Sequence, residues 1–460
     1  MNVKTLALLA LCSLALAAPA DWLVRVELAG VDAVGVRDAG LTVIEDFGTW
    51  SLARGSEADL VRADGRLDFT ALAPVDESRL FVYVMPARGF DRARLADHGR
   101  VLTSDSRGVL IETAEDEVLE LNRLPVELYR VGLEPMVFGE GLAPDAAPTV
   151  DDSLVQAMVD RVSADSVLGN IRRLAGFYTR YSTTDSCRRA MDWVKARFED
   201  YGMDSSYLQT FRSTYAPNAV GVKTGTVNPR RIYVVCGHAD NTSDYAPNRA
   251  PGSDDNASGT SAVIEAARVL ADVDFDYSVW FIGFAGEEQG LYGSDTFATR
   301  AYRRGDSIMA VLNFDMISYG RQNIDTFEVI GKTSNPNCAW LVDSFIANSR
   351  TYTNLKTRRS MVTSAPYSDH HSFWKKGYVG FCGIERDFTP EYHYIGDTVG
   401  PLYYVNCGTN NVPMATDAIK AAVATLAKLA GAHTATGVAE GPVLRPARLA
   451  GVSPTVGRLP

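Results

Sequence analysis

Five short segments place acids and imidazoles directly after apolar runs. They are Cys236-Gly237-His238-Ala239-Asp240, PGSDDNASG at 251–259, AGEEQG at 285–290, LNFDM at 312–316 and YHYIGDT at 392–398. In open α/β sheets ligands bind beyond the carboxyl ends of the strands, so side chains in such positions converge. Two imidazoles and at least four carboxylates then share one crevice, where burying so many like charges costs on the order of several kcal/mol. Bound dications remove that cost. Histidine with carboxylate and no thiolate suits zinc or a similar divalent ion in a catalytic site.

Two ions about 3.5–4 Å apart need one bridging carboxylate and two further protein ligands each. An aspartate of the Asp254-Asp255 doublet as bridge, Glu288 with His393 on one ion, and His238 with Asp315 on the other fill that count. Spacing alone does not choose between Asp254 and Asp255. Open coordination positions would hold a shared water with its pKa lowered towards neutrality. Neighbouring Glu287 and Glu288 do not easily point the same way, so Glu288 can bind metal while Glu287 faces the cavity. Glu287 would take the proton from the bridging water and deliver it to the leaving amine. Asp240 can accept from the other ring nitrogen of His238 and fix its tautomer, and Asp397 can steady the region around His393. Taken singly, each feature has an ordinary reading: a Glu-Glu pair in a solvated turn, or DDNASG as a turn with Asn256 or Ser258 capping a helix. Their joint order after successive apolar strands is the specific signal. His98 and His433 lie outside it and read as surface residues.

The elements that must position these residues follow from hydrophobic periodicity. Apolar runs at Ile232–Cys236, Ser278–Phe284 and Met309–Phe314 show no alternation, which suits strands buried on both faces. A helical run over Ser261–Val273 separates the first two, predicting a mainly parallel α/β sheet. Before them, Leu154, Met158, Val162, Val167, Ile171 and Leu174 form one long amphipathic pattern, and Ser186–Tyr201 a second helix closed by Gly202. Ala415–Ala430 makes a last helix.

Residues 22–134 contain an internal duplication. Trp22–Val26 to Phe69 is echoed by Leu80–Val84 to Tyr129, each half with alternating ends and two charged helical stretches, such as Asp91–His98 and Glu115–Leu121. A β-α-β-β-α-β order in each half makes a small open-faced sandwich. It holds no His/Asp/Glu cluster, so it is assigned no chemistry and reads as either a propeptide or an accessory domain. The expected organisation is a signal peptide at 1–20, this α+β region at 21–138, a Gly/Pro/Ala-rich linker at 139–150, the α/β domain at 151–432 and a flexible tail at 433–460.

At 460 residues, 46% hydrophobic and 22% charged, the chain can bury a large core, which excludes disorder for most of it. A net charge of −11 without any Lys/Arg run argues against a nucleic-acid partner. The first twenty residues carry Lys4, an apolar stretch from Leu6 to Leu16 and small residues at 15–20, so they read as a secretory signal, with no membrane span. The expected location is secreted, periplasmic or on the cell surface. Beyond the signal stand Cys187, Cys236, Cys338, Cys382 and Cys407; an odd count leaves one thiol free, with one or two bridges allowed.

At these residues the sequence resembles the zinc aminopeptidases of metallopeptidase family twenty-eight, which also contains glutamate carboxypeptidases and glutaminyl cyclases. The likeness covers about Asp151 to Ala430 through HxD, PGxDDNASG, GEExGLxGS, NFDM, SDHxSFW and YHxxxDT, in family order. It implies a compact α/β fold with a central mixed sheet and two zinc ions per chain. It carries over His238, Asp255, Glu288, Asp315 and His393 as ligands, with Asp255 as the bridge, and Glu287 as general base. A tyrosine shortly before the SDH segment helps hold the oxyanion in relatives. Here Ala365 stands three before Ser368, leaving Tyr367 as the candidate. His370 matches the SDH histidine and reads as structural or cavity-lining. The reading is an exopeptidase, foremost an aminopeptidase acting on peptides. A glutamate-type carboxypeptidase would need a basic pocket, for which Arg358, Arg359 and Arg386 are available; a glutaminyl cyclase would work with one zinc.

Overall fold

The computed structural model describes residues 21–87, 89–139, 148–321, 325–402, 404, 406–434; the expected signal peptide, most of the linker and most of the tail lie outside them. Two four-stranded antiparallel sheets come first. β1 (Trp22–Glu27), β2 (Thr42–Asp46), β3 (Trp50–Gly55) and β4 (Phe69–Pro74) are ordered β2-β3-β1-β4. β5 (Leu80–Pro86), β6 (Arg100–Ser104), β7 (Val109–Thr113) and β8 (Val126–Arg130) are ordered β6-β7-β5-β8, the same permutation. Helices Ala33–Asp38 and Glu57–Ala63 complete the first repeat; the second has a 3₁₀ segment at Arg92–Asp97 and the helix Glu115–Leu121.

Alternation along the strands splits their side chains between two faces. Leu23, Ile44, Trp50 and Leu52 meet Phe81, Tyr83, Leu110 and Tyr129 in one shared core, so the sheets pack face to face. Val24, Val26 and Leu60 in one repeat, and Val82, Val84 and Val118 in the other, form the outer cores under the helices.

The central sheet is mixed and eight-stranded. Its strands are β9 (Ser205–Gln209), β10 (Asn218–Lys223), β11 (Asn228–His238), β13 (Tyr277–Phe284), β14 (Ser307–Asp315), β15 (Phe327–Lys332), β16 (Thr357–Val362) and β17 (Gly380–Glu385). β12 (Asp274–Phe275) and β18 (Ala432–His433) pair separately, and the sheet order is β16-β15-β17-β14-β11-β13-β10-β9. β17, β14, β11 and β13 are mutually parallel; β10 and β15 join antiparallel. Along β11, Tyr233 and Val235 enter one core while Ile232, Val234 and Cys236 enter the other, which is why this run lacks polar alternation. Helices including Asp185–Asp200, Ala257–Leu270, Pro336–Tyr352 and Val412–Ala430 cover one face, and Tyr292–Arg304 with His370–Lys375 cover the other.

Several expectations are corrected. The amphipathic pattern after Asp151 is two helices, Asp152–Asp160 and Ala164–Ala175, because Ser163 caps the second by accepting from the Ser166 amide. The helix expected at Ser261–Val273 starts at Ala257, since the Asn256 side chain accepts from the Gly259 amide and ends the turn four residues earlier. The five cysteines among the described residues are buried and unbridged, so the allowance for one or two bridges among them does not hold. Among the described residues no helix is long and apolar enough to cross a membrane.

The duplicated region and the α/β body are in close contact. Leu291, buried after the β13 turn, inserts into the core between the two small sheets. Burying such a side chain contributes on the order of 2 kcal/mol. Beside it, Glu45 from β2 is fully buried against His371 Nε2 at 3.1 Å and Lys375 Nζ at 3.8 Å, and it accepts from the Tyr129 hydroxyl.

Candidate metal centre

His238 and Asp315 are the last residues of the parallel neighbours β11 and β14, which brings their side chains to one end of the sheet. Their closest approach is 3.2 Å, from His238 Nε2 to Asp315 Oδ1. Asp255 comes from the turn before helix Ala257–Leu270. That helix packs so closely on β14 that a Cβ on Gly259 would lie 2.1 Å from the Phe314 carbonyl oxygen, so glycine is required there. Glu287 and Glu288 lie in the turn after β13, and His393 in the loop after β17 with a φ of +59°.

Asp255 stands between the imidazoles. Its Oδ1 is 3.4 Å from His238 Nε2 and its Oδ2 is 3.2 Å from His393 Nε2. Glu288 Oε2 is also 3.2 Å from His393 Nε2. His238 and Asp315 thus lie on one side of Asp255, and His393 and Glu288 on the other. Asp254 turns away, accepting from the Ser318 amide at 2.9 Å and its hydroxyl at 2.8 Å.

The main-chain oxygen of Asp240 lies 3.2 Å from His238 Nδ1, so that nitrogen carries the proton and donates it. The lone pair of Nε2 then faces carboxylate oxygens, an arrangement that is repulsive unless a cation or proton lies between them. His393 Nε2 and Glu288 Oε2 are buried atoms without a hydrogen-bond partner, although they face each other. Orphaned acceptors of this kind are costly in isolation and fit a dication. Two trios reinforce this, His238-Glu287-Asp315 and His238-Asp255-Glu288, each with ligand atoms within 4.8 Å of one another.

Electrostatics carry the same strain. Burial disfavours the charged form of His238, yet Glu287 and Asp315 outweigh it and hold its pKa well above the usual value. Burial and the Asp255 charge push Glu288 up to about 8. Burial raises the Asp255 carboxyl, but the two imidazoles flanking it outweigh that and hold it below the usual carboxylate range.

Two supporting roles differ from expectation. The Asp240 carboxylate is 3.8 Å from His238 Nδ1, too far to bond; its main chain does that work. The carboxylate instead accepts from Ser182 Oγ at 2.7 Å and from the Glu287 and Glu288 amides at 3.3 Å each, holding the two-glutamate turn. Asp397 accepts from the Asp254 and Asp255 amides at 2.9 and 3.0 Å, so it steadies the Asp255 turn rather than His393. Tyr367 lines the same cavity as His238, Asp255, Glu287 and Asp315. Burial raises its pKa, which leaves a neutral phenol that can donate a hydrogen bond. His370 is fully buried with neither ring nitrogen bonded, packed edge-on against Trp374, and does not line the cavity.

Other contributors were not anticipated. Arg180, fully buried, donates at 2.7 Å to the carbonyl oxygens of Ala239, Pro251 and Gly252, tying the His238 and Asp255 loops together. Ser368 Oγ donates to Asp315 Oδ2 at 2.6 Å and orients that carboxylate. Asn122, from the duplicated region, donates to the Glu288 carbonyl oxygen at 2.6 Å and accepts from Gln289 Nε2 at 2.9 Å. Glu127 and Met85 of the same region line the cavity. Nothing in strand periodicity marks these residues, because each is a single side chain whose partners come from distant segments of the chain.

Residues 218–409 match the family model for peptidase family M28. A probable zinc metalloprotease of Pyrenophora teres f. teres is 33% identical over 196 residues, 38% of this chain and 41% of the relative. Leucine aminopeptidase 1 of Sclerotinia sclerotiorum is 27% identical over 284 residues, 56% of this chain and 70% of the relative. The chain thus spans about two fifths of the length of the zinc metalloproteases it matches. Among solved structures, the LapA aminopeptidase of Legionella pneumophila aligns with a TM-score of 0.60 at 20% identity, covering 76% of this chain and 98% of that one. LapB from the same organism gives 0.60 at 16% identity, over 76% and 99%. These two likenesses speak for the fold.

Proposed function

From the match of residues 218–409 to the model of peptidase family M28, we propose that this chain is a zinc-dependent aminopeptidase holding two ions. The observation that carries the reading is Asp255, with one oxygen towards each of two imidazoles, each imidazole also facing a further acid. His238 and Asp315 would hold one ion, His393 and Glu288 the other, with Asp255 shared. When bound, zinc supplies Lewis acidity that polarises a carbonyl and lowers the pKa of a water.

The chain's own residues do the rest. Glu287 lines the cavity with its Oε2 3.9 Å from His238 Nε2, placed to accept a proton from water and return it to the departing amine nitrogen. Asp240 keeps it there by bonding its amide. Tyr367 is placed to donate to an oxygen on which negative charge develops.

Cleavage at a free amino terminus is favoured over cleavage at a carboxyl terminus by the cavity wall. Among the described residues the lining holds Glu127, Asp255, Glu287 and Asp315 and no lysine or arginine. The arginines anticipated for a carboxypeptidase are engaged elsewhere: Arg358 is 3.9 Å from Glu328 and Arg359 is 2.7 Å from Asp343, both exposed on β16, and Arg386 does not line the cavity. Export is proposed from the apolar Leu6–Leu16 stretch behind Lys4, and sequencing the amino terminus of material recovered outside the cell tests it.

The deciding experiment removes metal with a chelator and restores zinc while following an aminoacyl anilide and its N-acetylated counterpart. The expected result is loss and recovery of cleavage of the free-amine substrate alone, with about two zinc ions per chain at full recovery. Activity persisting in metal-free protein would refute the reading, and full activity at one zinc per chain would turn it towards a cyclase-like site.

A further inference from the structure

The duplicated region reaches the catalytic cleft through one edge. β8 is the outer strand of its sheet, and Glu127 on it stands directly across from Met85 on β5. Both side chains line the cavity of about 350 Å³ that holds Glu287 and Asp315. Glu127 accepts from the Tyr392 hydroxyl, and the Tyr392 ring stacks on His393 at 3.9 Å. Among the described residues no lysine or arginine pairs with Glu127, and its side chain retains some exposure. A segment serving only to block the cleft would fill this space, whereas here the cavity stays open with Glu127 in its wall.

We propose that Glu127 receives the free ammonium group of the substrate, so that the duplicated region is a working part of the enzyme and sets its requirement for a cationic amino terminus. This deepens the aminopeptidase reading and rests on it. A carboxylate with no lysine or arginine paired to it among the described residues, in a wall rich in acids and apolar side chains, is matched by a cation brought in with the ligand. Phe388, Met85 and Ile384 supply apolar surface beside it for the adjoining side chain. An N-acylated substrate offers no charge to Glu127 and covers its carboxylate without a counter-charge, which is how such a wall discriminates.

The test uses the zinc-loaded full chain and two probes of one carbon skeleton, 3-methylbutylamine and 3-methylbutanol, with binding read by calorimetry. Glu127→Gln keeps the size of the side chain and can still accept from Tyr392, but removes the charge. Wild type is expected to bind the amine about tenfold or more tighter than the alcohol. In E127Q the amine should fall to the affinity of the alcohol, while the alcohol is unchanged. With leucyl anilide, E127Q should raise KM about tenfold and leave kcat within a few-fold. Tyr392→Phe, which keeps the carboxylate, should retain the amine preference. Amine preference undiminished in E127Q, absent from wild type, or lost equally in Y392F overturns the assignment. If wild type fails to cleave the anilide, the aminopeptidase reading falls, while the amine–alcohol comparison still judges Glu127.

Discussion

Asp255 offers one oxygen to each imidazole, so a change there touches both halves of the site at once. Asp255→Asn is expected to reduce zinc content by more than half, read by atomic absorption after dialysis. A variant that keeps two ions would remove Asp255 from the bridging position. Glu287 has a separable task. Glu287→Gln should retain wild-type zinc content and lower kcat by about 10²–10⁴-fold, the usual contribution of a positioned proton carrier. Full kcat in that variant would give the proton transfer to another group. The assignment of Asp254 and Asp255 shows where residue-level reading stops. The two are adjacent and chemically identical, and only the folded geometry distinguishes them: Asp254 accepts from Ser318, while Asp255 faces both imidazoles.

At the scale of elements, the strands that end in His238 and Asp315 were legible in sequence because burial on both faces leaves an unbroken apolar run. β15 and β16 carry Glu328, Lys332, Arg358 and Arg359, and the short helix His370–Lys375 has no periodicity to read; neither stood out. The candidate ligands stood out because His238 and Asp315 close apolar strands and the acids and histidine of the other segments sit in the loops at that end of the sheet. Asn122, Glu127 and Glu45 were not, since each is a lone polar residue whose partner lies over eighty positions away. Asn122 follows the helix Glu115–Leu121 and braces the Glu288 turn from outside the α/β body. Asn122→Ala should weaken zinc affinity about 10–100-fold, as loss of an outer support typically does. Competition with a chromophoric chelator measures it, and unchanged affinity would reduce the contact to simple docking.

For the whole molecule, the buried Glu45 joins the small sheets to the α/β body through His371 and Lys375. Burial raises its pKa, but the charges and hydrogen bonds of these partners prevail and hold it down from 4.5 to about 2. A carboxyl held lower in the folded state than in the unfolded chain stabilises fully above pH 4.5 and loses that contribution as pH falls towards 2. The effect is on the order of 3 kcal/mol. Glu45→Gln should therefore lower the Tm at pH 7 and flatten the decline of Tm between pH 4.5 and 2, by scanning calorimetry. An acid limb identical to wild type would mean that Glu45 does not hold the two parts together.

The five cysteines among the described residues, buried and unbridged, have a practical consequence. Because no sulfur–sulfur link braces the folded body, it can mature without an oxidant or an isomerase. Protein refolded in dithiothreitol should melt at the same temperature as protein refolded in air, and a host with a reducing interior should produce it as readily as one that exports it.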